Sequence, residues 1–68
     1  MDGTGKRIKI SRENAKLRQK ELAEKINVSK QTMYKYECGV IKNIPYKNIE
    51  KIAEQCKVSP AYLMGWED

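Results

Sequence analysis

The tripeptide Asn27-Val28-Ser29 constrains this chain more than any other stretch. Before it, Leu22, Ala23 and Ile26 recur at helical spacing and mark an apolar stripe on a helix over residues 17–26. After it, residues 29–38 read as a second helix, stopped by Gly39. Asparagine tolerates left-handed backbone, so Asn27 ends the first helix. Ser29 caps the next with its hydroxyl. Val28 and Met33 have the spacing of a hydrophobic staple across that cap, and Leu17 and Leu22 have it across the preceding one. Two helices joined by so short a connection must turn sharply, which gives a helix, a tight turn and a helix.

The remaining segments read as helices too. Residues 6–14 place Ile8, Arg12 and Ala15 on one face, with Ile10 off it. Glu21 lies in the first turn of the next helix, where the dipole favours a carboxylate, although Arg18 is a poor cap. Pro45 precedes a helix in which Ile49, Ile52, Ala53 and Cys56 recur at spacings of three, four and seven. Ser59-Pro60 is a cap followed by proline at the first helical position, and Tyr62, Leu63 and Met64 fill a short last helix closed by Gly65. Residues 1–5 hold two glycines and read as a flexible arm, and residues 66–68 as the start of a linker. No alternating strand pattern appears. The 68 residues make one all-α domain with a single small core.

Composition then narrows the function. With no histidine and only Cys38 and Cys56, the chain lacks the ligands for a zinc site, so no metal and no cofactor are expected. It also lacks a base for chemistry near neutral pH and a glycine-rich phosphate loop, so it is read as no enzyme. Cys56 continues an apolar stripe and is most simply a core residue. No apolar run reaches the length of a membrane span or a signal peptide, and a reduced, cytoplasmic setting is expected. The formal net charge is +5, which favours an acidic partner.

The helix over residues 29–38 supplies the surface for one. Met33 and Tyr36 share its inner side. Lys30, Gln31, Tyr34 and Lys35 point outward. An α-helix fits the major groove of B-DNA, where glutamine bonds bidentately to adenine, lysine donates to guanine, and a tyrosine ring packs on a thymine methyl. Alone, such a face is ordinary solvated charge. The adjoining helix, the tight turn and the basic balance tip the reading toward DNA. Glu37 lies one turn beyond Met33, near the buried flank, and needs a partner there. Arg12, on the face of Ile8 and Ala15, is the best one.

The run "LRQKELAEKINVSKQTMYKYECG" resembles the lambda-repressor-like (Cro-type, XRE-type) helix-turn-helix family, through Leu17, Gln19, Glu21, Leu22, Ala23, Val28, Ser29, Tyr36, Glu37 and Gly39. The likeness extends back to "GKRIKISRE" and forward to "IEKIAEQCKVSPAYLMG". It implies a compact five-helix domain that binds double-stranded operator DNA as a transcriptional regulator, a repressor acting as a homodimer on a palindrome. It implies base contacts from Lys30, Gln31, Tyr34 and Lys35. It implies backbone contacts from Gln19, Ser29, Thr32, Lys42, Asn43, Lys47 and Asn48, and a buried bridge between Arg12 and Glu37. Departures from the pattern are Ser11 in place of leucine, Lys16 and Asn27 in place of glycine, and Arg18 in place of a hydroxyl cap. None touches the outward face. The alternative is an antitoxin-like module of the same fold whose main partner is a protein, with Val40, Ile41, Met64 and Trp66 as its exposed patch. A membrane-surface helix would need one long amphipathic segment, which the breaks at Asn27, Gly39 and Pro60 interrupt.

Overall fold

The computed structural model describes residues 3–66. Five helices follow one another with no strand among the described residues: α1 (Thr4–Asn14), α2 (Gln19–Lys25), α3 (Lys30–Cys38), α4 (Tyr46–Cys56) and α5 (Pro60–Met64). Their punctuation follows local chemistry. The Ser29 Oγ accepts from the Thr32 N–H at 3.0 Å, and the Ser59 Oγ accepts from the Tyr62 N–H at 3.0 Å, so both serines cap as expected. Arg18 offers α2 little, and Glu21 makes up for it by accepting from the Arg18 N–H at 2.7 Å. Asn27 does adopt left-handed backbone, with φ 64°. Lys16 and Lys57 do the same without the help of glycine. Gly39 and Gly65, at φ 80° and 79°, close α3 and α5.

Ile8, Leu22, Ile26, Met33, Ile49, Ile52 and Leu63 are fully enclosed and form the centre of the core. Each such side chain contributes about 1.5–3 kcal/mol relative to exposure. Leu17, Val28, Ile41 and Ile44 pack around this centre from the connections. Cys56 is buried in it, and Cys38 is exposed. α3 lies against α1 and α2, while α5 packs on α4 and α1. α3 is therefore held from one side and left open on the other.

Two expectations need correction here. The arm expected over residues 1–5 is helical at Thr4 and Gly5, and Gly5 is buried. A Cβ at Gly5 would lie 2.4 Å from the Tyr36 carbonyl oxygen and 2.7 Å from that of Glu37, so the first turn of α1 rests directly on the backbone of α3. Met1 and Asp2 lie outside the described residues, as do Glu67 and Asp68 of the expected linker. Second, of the exposed patch expected at Val40, Ile41, Met64 and Trp66, Ile41 and Met64 pack against the core, so its exposed members are Val40 and Trp66.

Candidate nucleic-acid interface

The two sides of α3 have opposite surroundings. Met33 and Tyr36 are buried, whereas Lys30, Gln31, Tyr34 and Lys35 are all exposed. At about 100° per residue, the outward four span under half a turn of the helix and form one continuous face. Cys38, one turn beyond Tyr34, extends it. Cys38 also pushes the Tyr34 phenol above its ordinary pKa, chiefly through hydrogen bonding. At the start of the helix the Ser29 hydroxyl donates to the Thr32 Oγ1 at 2.9 Å while accepting from the Thr32 N–H. The Thr32 hydroxyl proton remains free to donate outward.

Behind this face α3 is anchored by a polar network. The Arg12 Nε donates to the Glu37 Oε2 at 2.7 Å, and its Nη2 donates to Oε1 at 3.1 Å. The third guanidinium nitrogen donates to the Leu17 carbonyl at 2.9 Å. The Arg12 and Glu37 side chains are only 11% and 3% exposed. The fork geometry satisfies both charges where water reaches them little. Hydrogen bonding to Glu37 raises the Arg12 pKa further above its already high value. Gln19 joins the network by donating from Nε2 to the Glu37 Oε1 at 3.1 Å. One carboxylate thus ties α3 to α1, to the start of α2 and, through Arg12, to the connection between them.

Lys42 and Asn43 are exposed in the connection after α3, and Lys47 is exposed in the first turn of α4. Asn48 departs from its expected place at the DNA backbone. It is buried, and its Nδ2 donates to the Tyr36 hydroxyl at 3.2 Å. The helical period explains this: Asn48 adjoins Ile49 and Ile52 on the inner side of α4, while Lys47 falls outside. Its bond is internal, joining α4 to α3. Sequence reasoning missed this bond because the two residues sit on different helices. It also passed over Lys9, one turn before Arg12, which lines the same cleft as Gln19 and Tyr34. The spacing between Lys9 and Arg12 was the available signal.

A family model described as helix-turn-helix matches residues 8–63. The chain belongs to the helix-turn-helix family. A search of curated proteins gave no match. Among solved structures, the P22 c2 repressor protein, crystallised in complex with synthetic operator 9T in the presence of Tl+, is similar with a TM-score of 0.86 and 24% identity, covering 98% of this chain and 100% of that one. The likeness is one of fold, and it spans all five elements of this helix-turn-helix domain.

Proposed function

We propose that the chain binds double-stranded DNA by sequence, inserting α3 into the major groove and acting as a transcriptional repressor. The observation that carries this reading is the outward face of α3. Lys30, Gln31, Tyr34 and Lys35 stand free together while the opposite side of the same helix is locked by Met33, Tyr36 and Glu37. A face held that still carries donors and acceptors at fixed spacing, which is what base edges in the major groove require. Gln31 pairs with adenine, Lys30 and Lys35 with guanine, and Tyr34 with a thymine methyl or a phosphate. Lys42, Asn43 and Lys47, and Ser29, Thr32 and Gln19 at the helix starts, hold the sugar–phosphate backbone and set the register. The net charge of +5 supports the same partner. So does the similarity in fold to the P22 c2 repressor, which was crystallised with an operator. The action is occupancy of an operator, with no chemical step.

Selection of binding sites from random duplex DNA tests the reading. An enriched motif is expected, and Gln31→Ala should relax it at one adenine position by about 1–3 kcal/mol. Binding without any enriched motif would remove sequence reading.

A further inference from the structure

The proposed DNA surface is built from two parts of the chain. The outward face of α3 supplies the readers. The connection after it and the first turn of α4 supply Lys42, Asn43 and Lys47, all exposed, for the sugar–phosphate backbone. Backbone contacts set the register in which base edges are met, so the spacing between the two parts must be fixed.

Packing alone does little to fix it. α3 lies against α1 and α2, and α4 lies against α1, α2 and α5, so α3 and α4 share little direct packing. The connection between them is tied at its ends. Val40 and Ile41 donate their backbone N–H groups to the Lys35 carbonyl at 3.0 and 3.2 Å, and the Pro45 carbonyl accepts from the Asn48 and Ile49 N–H groups at 2.9 and 3.2 Å. Residues 42–44 enter no backbone–backbone hydrogen bond among the described residues. A cleft of about 280 Å³ lies beside them, lined by residues that include Tyr36, Gly39, Ile41, Lys42 and Ile44. Ile41 and Ile44 pack on the core, but apolar contact is non-directional and leaves room to slide.

One directed link crosses this junction. The Asn48 Nδ2 donates to the Tyr36 hydroxyl at 3.2 Å, with both residues buried. Among the described residues it is the one side-chain hydrogen bond between α3 and α4. Its ends adjoin the two kinds of proposed contact: Tyr36 follows the reader Lys35, and Asn48 follows the backbone contact Lys47. A hydrogen bond weakens with both distance and angle, so it can hold a spacing that apolar packing leaves loose. We propose that Asn48 and Tyr36 are positioning residues for sequence reading: their bond sets the spacing between α3 and the phosphate-holding start of α4, and neither residue touches DNA. The assignment rests on the DNA-binding reading above and adds what keeps its two halves in register. Without the bond, non-specific binding persists because it needs only charge, whereas specific binding must first recover the spacing.

The test uses the full chain on its selected site and on scrambled duplex, with Tyr36→Phe, Asn48→Leu and the double variant. All three keep the net charge, and Tyr36→Phe keeps the ring in the core. The ratio of cognate to scrambled affinity should fall roughly 3–10-fold in each single variant, the contribution of one hydrogen bond. The affinity for scrambled duplex and its salt slope should stay as in the wild type. The double variant should lose no more than either single one, because each breaks the same bond. Binding is measured at a temperature where melts show every variant folded, so a role in folding alone would leave the ratio unchanged. If the wild type binds its site specifically but Tyr36→Phe keeps the full ratio, or the two losses simply add in the double variant, the positioning role is overturned while the DNA reading stands. A wild type that shows no specific binding overturns both.

Discussion

At the scale of single residues, the Arg12–Glu37 pair governs most. Its two charges are buried in a helical bundle with a small core, and each is satisfied only by the other and by Leu17 and Gln19. Removing one partner of a buried pair costs about 3–5 kcal/mol, because the remaining charge is stranded, whereas an apolar pair of matched volume restores much of it. Arg12→Met and Glu37→Leu should each lower stability by that order in urea melts, and the double variant should lose less than the sum. Simple additivity would show that the two charges do not interact. Cys56 adds a dependence on pH. Burial raises its thiol above the ordinary value of 9.0, with Arg12 opposing and Glu37 reinforcing the shift. The folded-state pKa is the higher one, so this contribution is complete below 9.0 and is lost as pH rises through the folded value. Between the two values the unfolded chain ionises first, and stability should fall by up to about 1.4 kcal/mol per pH unit. Cys56→Ala should flatten that part of the profile. An aromatic disulfide reagent should titrate one thiol, that of Cys38, in the native protein and two after unfolding.

At the scale of elements, much of the molecule was legible from sequence. Ser29, Asn27, Gly39 and the Ser59-Pro60 pair speak through local backbone chemistry, which does not depend on distant neighbours. The outward face of α3 followed from period alone, since Met33 and Tyr36 fix its inner side. The bond between Asn48 and Tyr36 was not legible, because an asparagine in a first helical turn reads as polar surface until another helix supplies its partner. Gly5 was missed for a related reason. Two glycines near a terminus look like loose chain, yet Gly5 is where α1 touches the carbonyls of α3. Those carbonyls are backbone and cannot swing aside. Gly5→Ala must therefore push α1 off α3, at a cost of about 1–3 kcal/mol typical of overpacking. Gly3→Ala, with nothing within 4 Å of the added carbon, should cost less. Equal melting temperatures for the two variants would show that the close approach relaxes freely.

At the scale of the whole molecule, one copy is small against an operator. The described chain measures 27 × 23 × 19 Å, and the proposed reading helix α3 is short, too little surface for high discrimination alone. Two copies on a palindrome would double the readout. Each carries +5, so two copies repel in free solution, and the phosphates of DNA remove that repulsion when both are bound side by side. Association should therefore be weak without DNA and cooperative on it. The surface suited to the contact lies around Trp66, which is 67% exposed and stacks on Tyr46 with ring centroids 6.1 Å apart. Its ring is held in place by that stack, so it can bury area against a second copy at little cost in side-chain freedom. Footprinting should show two protected half-sites about 10 bp apart, centre to centre, so that both α3 helices meet the same face of the duplex. Sedimentation should give a monomer alone and two copies per duplex. Trp66→Ala should reduce cooperativity while leaving the affinity for an isolated half-site unchanged. Protection of a single asymmetric half-site at saturation would mean that the chain reads DNA as a monomer, and the exposed aromatic pair would then need another partner.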